Sequence, residues 1–331
     1  MVNKSTSLLI SVAIACYNGE KYIKEQVQSI LDQTLQVDEI IISDDGSSDH
    51  SLKIVKELND PRIHIHKNKG RHGYCGNFEN AISLCTGDLI FIADQDDKWD
   101  LNRVEKTLEF FHKYPDADLV FCNGRYIDRN GTIMGNDRML PKMSTEAGKI
   151  PRDKYLDNSV SVSLAPGMAM CITKKLSEKT LPFPESQGNH DQWLMFCALC
   201  EDSTYYLNEQ LVSYRLHGNN VTGKSKYAGN IFQQFLSVFR RFTYTKKYTD
   251  RVVLGSEMMK HLEACGLDDT PAYGTAKRVY EIGMMEMDAF SDTRIKGACK
   301  LIRLYRTDMR YRRSGKNNFI LQLFAILFKK E

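Results

Sequence analysis

No stretch of this 331-residue chain is apolar for long: mean hydropathy is −0.41, and the run Phe319–Phe328 stops after ten residues at Lys329-Lys330. A spanning helix needs about 20 apolar residues, so no transmembrane segment is expected. A secretory leader is missing too. The short N-terminal run SLLISVAIAC leads into Tyr17-Asn18-Gly19-Glu20 rather than into a small-residue cleavage site, so the expected compartment is the cytoplasm. The nine cysteines are odd in number and follow no framework, which excludes a disulfide scaffold and fits thiols in a reducing compartment. Cys197 and Cys200 form a CxxC, but no second pair completes a zinc site. Three apart on an apolar helix face, they read as packing. The absence of internal repeats excludes solenoids. No nucleic-acid-binding module is readable, so nucleic acid is not an expected partner.

What is present is uneven. Residues 231–331 carry 19 Lys/Arg against 11 Asp/Glu in a chain whose net charge is +3, so the first 230 residues are net acidic. The acidic part reads as the catalytic part and the basic part as a tether. Over residues 1–125, β-rich apolar runs alternate with helix-period segments, the pattern of βαβ units around a mostly parallel sheet. Strands are expected at Leu8–Ala15, Glu39–Ser43, Ile63–His66, Leu89–Ala93 and Leu119–Asn123, and helices at Lys21–Gln33, Ser48–Leu58, Asn77–Cys85 and Asn102–Tyr114. Ser47 or Ser48 and Asn77 are the expected N-caps. Residues 125–165 read as loops with a short strand or two. Ala165–Thr173 and Thr204–Leu207 read as strands, with a helix at Asp191–Leu199 between them. From about Tyr227 the chain becomes helical and basic.

Each early strand runs into a polar cluster, and ligands of such sheets gather at those carboxyl ends. Asp94-Gln95-Asp96-Asp97 follows the most apolar strand, Leu89–Ala93. Carboxylates that close repel one another unless a cation lies among them, and hard oxygen ligands suit Mg²⁺ or Mn²⁺, which would neutralise the phosphates of a nucleotide. Ser43-Asp44-Asp45-Gly46-Ser47-Ser48-Asp49 ends another strand; a carboxylate there can accept the imide N–H of a uracil or thymine, although a plain strand-turn-helix connection would look the same.

Three segments, SVAIACYNGEKYIKEQVQSILDQT, DEIIISDDGSSD and TGDLIFIADQDDKW, fall in the order and spacing of the nucleotide-binding half of family 2 glycosyltransferases, which they resemble across roughly residues 7–125. The resemblance implies the GT-A fold, a Rossmann-like mixed α/β sheet, mostly parallel and flanked by helices, here followed by a C-terminal helical, basic extension. It implies a nucleotide-sugar-binding half (1–125) and an acceptor-binding half (126–226), with 227–331 as the basic region. Pro166-Gly167-Met168, His190-Asp191-Gln192-Trp193 and Tyr214-Arg215-Leu216-His217-Gly218-Asn219-Asn220 resemble the bacterial polysaccharide branch that holds many rhamnosyltransferases.

Carried over by position, the resemblance implies that Tyr17 stacks on the base and that Asp45, with Asp44 beside it, holds the pyrimidine N–H. Asn18, Glu20, Asn77, Asp94, Asp96 and Asp97 complete the nucleotide-sugar set. Asp96, Asp97 and His217 would hold Mn²⁺ or Mg²⁺. Asp191 would be the general base of an inverting transfer, with Gly167, Met168, His190, Gln192 and Trp193 around the acceptor. The donor expected is a dTDP- or UDP-sugar, dTDP-L-rhamnose first. The acceptor expected is a polyprenyl-diphosphate-linked glycan in O-antigen or capsule synthesis.

A single base suits transfer, whereas hydrolysis uses two carboxylates flanking the bond. This chain departs from the branch at Gln192, where an aromatic is usual, and at His190, where an acid is. Arg303, Arg306, Arg310, Arg312, Arg313 and Lys316 precede the terminal apolar run, as in a helix lying on the anionic inner face of a membrane. Two other classes compete. A sugar-1-phosphate nucleotidyltransferase would open with a Gly-rich, Arg-bearing loop where Ala15-Cys16-Tyr17-Asn18-Gly19 stands; a non-catalytic membrane scaffold would not need Asp96, Asp97 and Asp191.

Overall fold

The structure, a computed structural model, describes residues 8–140, 146–161, 163–184, 189–217 and 246–292, with isolated positions between 296 and 303. They fall into two compact units that part at about residue 224.

The first unit is built on strand β1 (Ile10–Cys16), which is apolar on both faces because it lies inside a sheet covered on both sides. Its one buried hydroxyl, Ser11, is satisfied: Oγ donates to Glu39 and accepts from the Gly87 N–H at 2.8 Å. β2 (Glu39–Asp44) and β4 (Leu89–Asp94) flank β1 in parallel, and β3 (Ile63–Lys67) pairs beyond β2. The register aligns Cys16 with Asp44, Asp44 with Lys67 and Ala15 with Asp94, so these strands end together and their loops form one rim. Helices α1 (Ile23–Leu31), α2 (Ser51–Glu57), α3 (Tyr74–Leu84) and α4 (Arg103–Lys113) lie along this part of the chain. The chain leaves β1 towards β2 and later returns to β4 on the other side, which makes the β1/β4 boundary the topological switch point where such sheets bind ligands.

Among the described residues the sheet has ten strands. Beyond β4, the short β9 (Met170–Thr173) runs antiparallel between β4 and β6 (Leu119–Ile127). β10 (Thr204–Arg215) pairs parallel with β6, and β5 (Lys98–Trp99), β7 (Ile133–Arg138) and β8 (Gly148–Lys149) close the edges. Both long strands outrun their expected ends, β6 to Ile127 and β10 to Arg215, because pairing with each other carries them through polar residues. Only the second half of Ala165–Thr173 is strand; Gly167–Ala169 is a 3-10 turn. A helix, α5 (Arg152–Ser159), stands where loops are expected, followed by α6 (Lys174–Thr180) and α7 (His190–Cys200). The expected N-caps are corrected. His50 precedes α2 and Gly73 precedes α3, with no side-chain cap bond at either, and Asn77 lies one turn inside α3. Cys197 and Cys200 are buried on α7, as packing requires.

In the second unit α8 (Lys246–Ala264) and α9 (Pro271–Ser291) pack as a hairpin. Thr270 accepts the Tyr273 N–H at 3.4 Å at the start of α9. Gly255 lies against the Tyr280 backbone and Gly283 against Val252, where a Cβ would meet atoms at 2.7 and 2.9 Å. Arg251 pairs with buried Glu286 at 2.6 Å. Among the described residues no helix is long and apolar enough to cross a membrane. The basic and apolar tail from residue 304 and Gly218-Asn219-Asn220 lie outside the described residues.

Candidate active site

The turn after β1 is fastened to the turn after β2. Asn18, at φ +49, accepts the Ser48 N–H on its side-chain oxygen at 2.8 Å, and its own N–H donates to Ser47 Oγ at 3.0 Å. Glu20 accepts the His50 N–H at 3.0 Å and donates its own N–H to Asp49. Asp44 is buried and accepts the N–H groups of Gly46 and Ser47 at 3.2 and 3.1 Å. Asn18, Glu20 and Asp44 therefore help to hold the loop, Asn18 and Glu20 from its exposed side. Asn77 does the same from below: it is buried, accepts from Ser43 Oγ at 2.6 Å and donates to the Cys16 carbonyl at 3.1 Å.

Tyr17 and Asp45 stand beside these braces. Tyr17 is 56% exposed. Asp45 accepts from Asn68 Nδ2, His72 Nδ1 and the Gly73 N–H, all at 2.8 Å. Burial pushes its pKa up, but the bonds from Gly73, Asn68 and His72 outweigh it and hold the carboxyl below its usual range. A carboxylate has about four acceptor sites, so a fourth donor fits.

β4 ends at Asp94, and the next residue folds back. Gln95 accepts the Tyr17 N–H at 2.9 Å and donates to the Tyr17 carbonyl at 3.0 Å. A Cβ on Gly19 would lie 2.3 Å from Gln95 Oε1, so this return requires glycine there. Asp96 Oδ2 is 2.7 Å from His217 Nε2, and the His217 ring stacks on Tyr22 at 5.0 Å. Asp97, expected beside Asp96 in the metal shell, points inward: it is 1% exposed, its Oδ1 accepts the Arg215 N–H at 2.9 Å, and its Oδ2 is buried without a hydrogen-bond partner. Arg215, also 1% exposed, donates to the Asp96 carbonyl at 2.7 Å and to Glu25 at 2.6 Å, with its guanidinium over Tyr22. Burial raises Asp94, with Asp96 and Asp191 adding to it, and burial followed by Asp94 and Asp96 raises Asp97 against the opposing Arg215.

The start of α7 is tied to the end of the sheet through the Gly167–Ala169 turn, which packs on β4 and whose Gly167 N–H bonds to Asp191. Asp191 stands in the first turn of α7 and accepts the Gln192 N–H at 2.7 Å. Burial raises it to about 6 against the opposing N–H groups of Gln192 and Gly167. Its neighbours expected at the acceptor are turned inside. His190 is buried, stacked on Phe78 at 4.0 Å and pushed down to about 3 by burial, so it is neutral. Gln192 donates to the Val160 carbonyl at 2.8 Å and Trp193 to that of Thr180 at 3.1 Å. Met168 is core, and Gly167 has no room for a side chain, since a Cβ would lie 2.2 Å from His190 Nε2.

The site thus gathers Tyr17, Asp45, Asp94, Asp96, Asp191 and His217 at one rim, while Asn18, Glu20, Asp44, Asn77, Asp97, Met168, His190, Gln192 and Trp193 support it. Sequence reasoning missed Gln95 and Arg215. Gln95 sits between two singled-out acids, and Arg215 lies two residues before His217; only their long-range partners give them roles.

A mixed sheet with an acidic strand-end cluster facing a helix-borne carboxylate defines an α/β protein of the GT-A class. A fragment of S. aureus TarS in complex with UDP-GlcNAc has this fold, with a TM-score of 0.55 at 13% identity over 97% of this chain and 90% of that one. The fragment in complex with UDP gives 0.52 at 15%, over 83% and 90%. A chondroitin synthase of Escherichia coli is 32% identical over 222 residues, 65% of this chain and 30% of that protein. An uncharacterized glycosyltransferase of Nostoc sp. is 28% identical over 223 residues, 64% and 66%. The chain therefore spans under a third of the first relative and about two thirds of the second. The profile of glycosyl transferase family 2 matches residues 11–178, half of the sequence, and the chain belongs to that family.

Proposed function

We propose that the protein transfers a sugar with inversion from a pyrimidine nucleoside diphosphate donor to a hydroxyl of a growing polysaccharide. The observation that carries this reading is that the Gly167–Ala169 turn, whose Gly167 N–H bonds to Asp191, packs on β4, the strand that ends in Asp94. Asp45 keeps one acceptor position for a base imide, and Tyr17 offers an exposed ring beside it. The solved likenesses with UDP and UDP-GlcNAc favour a uridine donor. The dTDP-L-rhamnose expectation rests on the HDQW and YRLHGNN blocks, of which Gln192 and Trp193 bond to the Val160 and Thr180 carbonyls inside the fold.

A divalent cation, Mn²⁺ or Mg²⁺, fits Asp96 and His217, whose oxygen and nitrogen face each other at 2.7 Å. No three acidic, His or Cys groups among the described residues could hold a metal ion unaided. Such ions commonly take their remaining ligands from phosphate and water. When bound, the cation would neutralise the leaving diphosphate. Arg215 fixes the Asp96-Asp97 turn, its backbone N–H on Asp97 and its guanidinium on the Asp96 carbonyl. Asp191 takes the proton of the acceptor hydroxyl as that oxygen attacks the anomeric carbon and the bond to the diphosphate breaks.

The test is to incubate the protein with Mn²⁺ and a panel of UDP-, dTDP- and GDP-sugars and to measure the nucleoside diphosphate released. Release from a UDP-sugar is expected. Release from a GDP-sugar alone would overturn the base pocket.

A further inference from the structure

Among the described residues, a side-chain hydrogen bond joins the loop proposed to receive the nucleobase to the helix that carries the proposed base. Gly73 donates its N–H to Asp45 at 2.8 Å and is the residue from which α3 starts. The next residue, Tyr74, donates its hydroxyl to Asn189 Oδ1 at 2.6 Å, and Asn189 is the N-cap residue of α7, two positions before Asp191. Behind this bond, one turn along α3, Phe78 stacks on His190, and Tyr74 meets the same ring edge-on at 6.5 Å. The Tyr74 phenol is pushed up to about 12, first by burial and then by the charges of Cys75 and Asp191, so it remains a donor throughout the working pH range. Tyr74 is 40% exposed at the rim, so its hydroxyl is not required to fill the core.

Building on the function proposed above, we propose that Tyr74 is a positioning residue that couples occupation of the nucleobase pocket to the placement of Asp191. A base bonded to Asp45 tightens the Gly73 turn, and Tyr74 passes that order to the first turn of α7. The geometry gives the coupling a single removable atom, the Tyr74 oxygen.

Tyr74→Phe keeps the ring against His190 and removes only that atom. Hydrogen exchange of the full chain is read with and without UDP and Mn²⁺. In the wild type, UDP is expected to slow exchange in the first turn of α7 as well as around Asp45. In Tyr74→Phe it should slow exchange around Asp45 alone, and UDP affinity should change by no more than the roughly fivefold that one neutral hydrogen bond supports. With the donor that the sugar panel identifies, kcat should fall about fivefold, the size one neutral hydrogen bond supports, and KM should hold. Asn189→Ala should give a similar loss, and the double variant no more than either single one. Equal protection of α7 in wild type and Tyr74→Phe, or additive losses in the double variant, overturns the coupling. A wild type that binds no UDP and releases no nucleoside diphosphate from any sugar overturns the proposed function as well.

Discussion

Asp191, the proposed base, shows how little has to be added to an ordinary carboxylate to suit it to that role. Burial lifts it to about 6 against the lowering effect of three backbone N–H groups, those of Gln192, Gly167 and Asp191 itself. A base must be deprotonated to act, so the acidic limb of the rate should rise with pH through about 6 and level off above it. Asp191→Asn keeps the shape and cannot take a proton. It should bind UDP as the wild type does and lose transfer by at least roughly 10²-fold, with the limb near pH 6 gone. Retention of more than about a tenth of the wild-type rate would move the base elsewhere. His190 is a poor substitute, because its ring is buried against Phe78 and Gly167 and stays neutral.

At the scale of elements, the rim depends on loops that brace one another. Gly19 is one such point: a methyl there would displace the Gln95 side-chain end and break both of its bonds to Tyr17. Gly19→Ala is therefore expected to weaken UDP binding about tenfold, as two neutral hydrogen bonds would. Adding Gln95→Ala should cost little more, because both changes remove the same brace. Titration of the three variants with UDP checks this, and additive losses would separate the two residues. These braces also show which features were legible. β1, β2 and β4 could be read because strands covered on both faces are continuous apolar runs. The acids at their ends could be read because strand ends are where such sheets bind ligands. What decides the role of Gln192 is the Val160 carbonyl, and for Trp193 it is that of Thr180. Arg215 reaches Asp97 across 118 residues. No local spacing encodes such partners. The antiparallel insertion of β9 between β4 and β6 was illegible for a related reason: four residues carry too little period to declare an orientation.

At the scale of the molecule, the charge division remains to be given a purpose. An acidic N-terminal part that handles anionic nucleotides needs its own fixed cations few and well placed, whereas 19 Lys/Arg in residues 231–331 are far more than one diphosphate could use. We propose that the region from 227 onward is the tether and that its basic and apolar tail lies on an anionic membrane, where a lipid-linked acceptor would be presented. A ten-residue apolar run is too short to span but long enough to lie in the headgroup region, and each nearby cation adds about 1 kcal/mol. The full chain should therefore sediment with vesicles containing phosphatidylserine and be released by salt, because screening shortens the reach of surface charge. A chain ending before Asn317 should stay in the supernatant and still bind UDP through Tyr17 and Asp45. If it loses UDP binding and its melting transition, the tail supports the fold; if the full chain ignores the vesicles at low salt, the tether lies elsewhere.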